Sequence, residues 1–92
     1  MTREHYFKLN IVSSAGTLFQ GEAESVSVNT TSGYITVLAH HVPLISTLAP
    51  GIITVKNEEG EKEFKVKSGV IDVGKDETAI VIHGKVDDTE QI

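Results

Sequence analysis

Four histidines, a few paired carboxylates and scattered serines are the side chains in this sequence whose types could do chemistry. His40 and His41 are adjacent, and on an extended strand neighbouring side chains point to opposite faces, so the two reach one ion poorly. His5 and His83 are remote in sequence, one near the first strand and one ending the last. Histidine metal sites on β-scaffolds normally place two ligands two residues apart beside a carboxylate, and that spacing is absent. Glu22 and Glu24 share a face under a period of two and could perform acid–base work if a cleft enclosed them. Glu58 and Glu59 fall in an expected hairpin loop, and Asp87, Asp88 and Glu90 in a polar tail, where a solvated charge costs least. Ser13, Ser14 and Ser68 have no GxSxG elbow around them, and the chain has no cysteine nucleophile. Neither a P-loop nor a GxGxxG turn is present. The residues therefore predict no catalytic group, no metal, no nucleotide site and no cofactor.

The elements that would position these groups repeat with a period of two. Phe7, Leu9 and Ile11 fall on one face with Lys8 and Asn10 on the other, and Glu24–Asn29, Ile53–Lys56 and Glu63–Lys67 alternate likewise. Short apolar runs at Tyr34–Leu38, Val70–Val73 and Ala79–Ile82 are rich in the β-branched residues that suit pleated surfaces. Turn residues separate them at Ser14-Ala15-Gly16, Thr31-Ser32-Gly33, Asn57–Gly60 and Gly74–Glu77, while Pro43 and Pro50-Gly51 bracket Leu44–Ala49. No twelve-residue window carries a helical period free of these breakers. The pattern predicts one all-β domain over residues 1–85, an antiparallel flattened sandwich or barrel of about ten short strands, followed by a short acidic tail at 86–92.

Composition narrows the function classes. A chain of 92 residues fits one domain with one modest core. Without cysteine it has no disulfide framework. No apolar stretch is long enough for a membrane-spanning helix, and the N-terminus lacks an apolar signal region, which gives a cytosol-facing reading. The net charge of −5, with Arg3 the only arginine, disfavours nucleic acid. No basic amphipathic helix can be drawn, so direct insertion into lipid is not expected. An interaction module is the class that remains.

The string GYITVLAHHVPLISTLAPG, Gly33 to Gly51, resembles the signature of the epsilon subunit of rotary ATP synthases, called delta in mitochondria. Gly33, Ile35, Val37, His41, Pro43, Leu44, Pro50 and Gly51 carry the likeness. The opening FKLNIVSSAGTLFQGEAESV, with Phe7, Leu9, Gly16, Phe19, Gly21 and Glu22, and the closing FKVKSGVIDVGKDETAIVIHG, with Phe64, Ser68, Gly69, Val73, Thr78 and Val81, are similar to the family in the same order. The match runs from about residue 5 to 85. Family members usually have a glycine where Thr36 stands and a Pro-Gly pair where Ala39 and His40 stand, so the turn before His41 is expected to differ. They also commonly continue into a C-terminal helical hairpin, whereas this sequence stops at Ile92. Inhibition of ATP hydrolysis and ATP binding, which belong to that hairpin, are therefore expected to be absent.

The resemblance implies a ten-stranded β-sandwich, non-catalytic in itself, that fastens the gamma subunit to the ring of c subunits in the rotor's central stalk. It implies a location at the cytoplasmic face of a bacterial-type plasma membrane as part of the complex, and a monomer in isolation. A loop from Thr31 to Pro43, bearing Tyr34, His40, His41 and Pro43, is expected to meet the polar loops of the c subunits. An aromatic anchor with few charges suits a contact surface. Val70-Ile71 and Ile80-Val81-Ile82, apolar on successive positions, are candidates for the gamma-facing surface. Two other readings compete: a small cupin-like metal enzyme, and a free-standing β-sandwich module for sugars or peptides. The absence of tryptophan disfavours the second of these, because such sites use aromatic platforms.

Overall fold

Alternating apolar side chains need a second apolar face to cover them, and this chain supplies both faces from one sheet that curls on itself. The computed structural model describes residues 5–84 together with Asp87–Asp88. Its strands are β1 (Phe7–Ser13), β2 (Gly16–Ala23), β3 (Ser25–Thr30), β4 (Gly33–Leu38), β5 (Leu44–Leu48), β6 (Gly51–Asn57), β7 (Gly60–Val66), β8 (Gly69–Val73), β9 (Glu77–Ile82) and β10 (Asp87–Asp88), with no helix among the described residues. The strand order is β10-β7-β6-β3-β5-β8-β9-β1-β2, and β4 pairs with the other side of β3. A single residue pair, Thr30 with Leu48, joins β3 to β5. That narrow joint is flanked by hydrogen bonds from Thr31 N to Thr47 O (3.0 Å) and from Ala49 N to Asn29 O (2.8 Å). It lets β4-β3-β6-β7-β10 form an upper layer and β5-β8-β9-β1-β2 a lower one. The molecule is 21 Å thick along its shortest axis, as two sheets about 10 Å apart with their outer side chains require.

The core lies between the layers. Leu9 and Ile11 of β1, Val26 and Val28 of β3, Val37 of β4, Ile53 and Val55 of β6, Ile71 of β8, and Ile80 and Ile82 of β9 are each at most 1% exposed. Each such side chain contributes about 1.5–3 kcal/mol by leaving water. Thr30, buried beside a turn, donates to Gly33 O at 2.7 Å and accepts from Ser32 N at 3.1 Å. Gly33 completes that turn with φ of 131°, a backbone conformation a side chain would strain. No buried side-chain nitrogen or oxygen among the described residues lacks a hydrogen-bond partner.

Three details differ from the sequence reading. The pairing is antiparallel except between β1 and β9, which run parallel with Ile11 beside Ile80. Nothing forces these two strands into a hairpin, since almost the whole chain separates them. The segment 31–43, named as a contact loop although Tyr34–Leu38 within it reads as a strand-like run, is strand β4 with a turn at each end. Its apolar alternation is satisfied by six residue pairs with β3. Of the tail expected at 86–92, Asp87 and Asp88 pair with Lys65 and Phe64 of β7. The rest, Glu90 included, lies outside the described residues.

Candidate interaction surface

Strand β4 separates the expected contact residues. Tyr34 stands near its start, 67% exposed, while His40, His41 and Pro43 lie in the connection beyond its end. The rise along the strand puts roughly 13 Å between Tyr34 and Leu38 alone. His41 N donates to Leu38 O (3.2 Å), closing the turn, and His41 Nδ1 is 2.7 Å from Val42 O. His40 occupies the left-handed region with φ of 67°. A glycine would adopt that conformation freely, whereas a side chain there costs about 1 kcal/mol. His40→Gly is therefore expected to raise stability by at most about 0.5 kcal/mol once the entropy cost of glycine is subtracted, a melting shift of no more than a few degrees. A lower melting point on calorimetry would refute the strain.

The groups that could do chemistry are spread out. His40 lines one shallow cleft with His5, Glu24, Leu38 and Ala39, and another with Tyr6, Phe7, Lys75 and Asp76. His83 follows β9 at the far end of the sandwich from His5, because β1 and β9 run parallel. Glu22 and Glu24 diverge: β2 ends at Ala23, the chain bends, and Glu24 N donates to Lys56 O (2.7 Å). Glu22 instead lines a cleft of about 300 Å³ with Tyr6, Phe19, Asn57, Glu58 and Glu59. Among the described residues, no three histidine, aspartate or glutamate side chains come close enough to hold one ion.

What the fold does assemble is an apolar outer face on the lower layer. Thr47 of β5 lies beside Val70 of β8, Val70 beside Val81 of β9, and Val81 beside Val12 of β1. The next row runs Ile45, Asp72, Ala79, Asn10. Ile45 is 73% exposed and Val81 45%, while Val12, Val70 and Ala79 are half-buried. Asp72 is the only charge in the two rows. A layer that met only water on this side would alternate apolar with polar residues, so this face has the composition of a contact surface. The sequence singled out runs on β8 and β9 as apolar on successive positions, but not which members face outward. The strand register settles that: Ile71, Ile80 and Ile82 point into the core, and Val70 and Val81 point out. Ile45 and Val12 were missed, because no spacing in the sequence links β5 to β1.

Comparison with known proteins gives a consistent picture. The family model for the ATP synthase delta/epsilon chain β-sandwich domain matches residues 6–86. The ATP synthase epsilon chain of Persephonella marina is 35% identical over 77 residues, covering 83% of this chain and 57% of that relative. The ATP synthase epsilon chain of Francisella philomiragia is 33% identical over 91 residues, covering 99% of this chain and 59% of the relative. A chain in the Euglena gracilis mitochondrial ATP synthase structure, which comprises OSCP, F1 and c-ring, superimposes with a TM-score of 0.86 at 22% identity. That likeness covers 100% of this chain and 59% of the other. The chain thus spans about three fifths of the length of these relatives.

Proposed function

The chain belongs to the delta/epsilon chain β-sandwich family of ATP synthase, and we propose that it is a non-catalytic component of the rotor's central stalk, fastening the gamma subunit to the ring of c subunits. The observation that carries this reading is the apolar face of Ile45, Val70, Ala79, Val81 and Val12 on a stiff, fully packed sandwich. Transmitting torque needs a body that does not shear, and a core filled from both layers provides that without any reactive group. We assign the apolar face to gamma, where a broad surface with one carboxylate can be desolvated cheaply. We assign the β4 margin and its following turn, with Tyr34, His40, His41 and Pro43, to the polar loops of the c subunits. Because Tyr34 and His41 lie at opposite ends of β4, that contact would use the length of the strand and not the tip of one loop. The subunit would then work at the cytoplasmic face of a bacterial-type plasma membrane, held there by its partners.

The test is co-purification of the tagged chain with gamma subunit and c-ring from detergent-solubilised host membranes. Stoichiometric retention of both is expected, and retention of neither in otherwise intact complexes would overturn the stalk reading. The double substitution Tyr34→Asp, His41→Asp changes only exposed or half-buried side chains. It is expected to keep gamma and to lower ring retention about tenfold, the loss that one or two disrupted anchor residues produce. Equal ring retention would sink the assignment of the β4 margin.

A further inference from the structure

From Ser25 to Val55 the chain carries no Asp, Glu, Lys or Arg; its 8 basic and 13 acidic residues all fall before or after. This span is β3, β4, β5 and nearly all of β6. In the upper layer β4, β3 and β6 lie side by side, so the depletion in sequence becomes a surface. Its outer side presents Tyr34, Thr36 and Leu38 of β4, with Asn29, Ser27 and Ser25 opposite them on β3. Tyr34 is 67% and Leu38 55% exposed, and the Ser27 and Thr36 hydroxyls share a hydrogen bond at 2.9 Å.

The margin of this surface is an open strand edge. Among the described residues, β2, β4 and β10 each pair with one neighbour only. Such an edge leaves alternate backbone N–H and C=O groups without ladder partners, and proteins usually guard it with charges, prolines or bulges. Strand β2 carries Glu22 and faces a register shift at Ile11/Val12, and β10 is Asp87–Asp88. Strand β4 has none of these guards and pairs with β3 without a shift.

We infer that β4 is a self-association edge, onto which a second copy of this chain adds its own β4 as an antiparallel strand. Two features of β4 select a second copy. The run Tyr34-Ile35-Thr36-Val37-Leu38 has a bulky residue at each end and a β-branched aliphatic on each side of Thr36. Antiparallel pairing centred there sets each Tyr34 beside the other copy's Leu38 and each Ile35 beside its Val37, the aromatic–aliphatic and β-branched pairs that stabilise sheets. Charge points the same way. Two chains of net charge −5 repel wherever carboxylates meet, and this edge is the one of the three that brings none together. One added strand buries less than the roughly 1,200 Å² of standard interfaces, so the dimer is expected to be weak, with Kd on the order of 0.1 mM. It uses the side chains assigned above to the ring, so it belongs to the free subunit, and its test needs neither gamma nor ring.

Sedimentation of the purified chain from micromolar to millimolar concentration is expected to show a reversible monomer–dimer equilibrium. Thr36→Lys and Thr36→Glu each place like charges across the dyad and should each weaken association at least tenfold. An equal mixture of the two variants should associate as well as the parent chain or better, because the opposed charges then attract. Circular dichroism verifies that each variant remains folded, as an exposed position on an edge strand predicts. A parent chain that stays monomeric to millimolar concentration, as it would if only another protein's strand occupied the edge, overturns the proposal. So does a dimer that both variants leave unchanged, or a mixture that fails to associate.

Discussion

Gly69→Ala is expected to destabilise the protein by about 3 kcal/mol, lowering its melting temperature by roughly 15 °C, although it adds only a methyl group. Gly69 opens β8, paired with Ile82 of β9 on one side and Leu48 of β5 on the other. A Cβ there would lie inside van der Waals contact of the Val81 carbonyl oxygen, and 3.2 Å from both Ile82 Cα and Leu48 Cδ1. Two of those three atoms are backbone of the adjacent strand. They can move only by opening the β8–β9 ladder, which carries Ile71 and Ile80 into the core. The loss would be large against the total stability of about 5–14 kcal/mol typical of a domain this size. Gly21→Ala is the control: its methyl would meet only the Phe19 ring edge, at 3.9 Å, on an exposed stretch of β2. It should change stability by less than about 0.5 kcal/mol. Urea titrations of both variants make the comparison, and a difference below about 1 kcal/mol between them would mean the ladder absorbs the methyl.

Strand identity was legible in the sequence wherever one face is buried and the other wet. Leu9 and Ile11, Ile53 and Val55, and Phe64 and Val66 alternate with polar neighbours, and all six are buried. Turn chemistry was legible too, since Gly16, Gly33 and Gly60 follow the residues that reverse the chain. Pairing between distant strands was not. The parallel contact of β1 with β9 arises because both have an apolar face and neither is tied to the other by a short turn, a fact that no local spacing encodes. Likewise Pro50 marked a break, but not that the chain there passes from β5 in one layer to β6 in the other.

The candidate surface was legible only in part, for the same physical reason. Tyr34, His40, His41 and Pro43 were grouped from the family resemblance as one charge-poor loop, yet strand β4 extends between them and puts them at its two ends. The stretches Val70-Ile71 and Ile80-Val81-Ile82 stood out as apolar on successive positions. Their outward members could be sorted from the inward ones only once Val70 was seen to pair with Val81. A cross-strand row is a property of register, and register across four strands is set by the packed core.

The second large effect concerns that row. Val81→Asp is expected to leave the fold intact and to weaken gamma binding by about 2–4 kcal/mol, some thirty- to a thousandfold. Val81 is 45% exposed on the outer face of β9, between Val70 and Val12. In the free chain a carboxylate there keeps most of its water, and the substitution removes little packing, so stability should fall by no more than about 1 kcal/mol. In a complex the same carboxylate would be stripped of water among valines, with Asp72 on the neighbouring strand adding repulsion. Val81→Thr separates charge from shape: it keeps the β-branched outline, adds one hydroxyl, and should cost binding about 1 kcal/mol. Titration of purified gamma against the three chains by calorimetry would measure the series. Equal affinity for the parent and Val81→Asp would move the gamma contact off the lower layer altogether. It would do so without touching the question of the β4 margin, whose strand lies on the other layer.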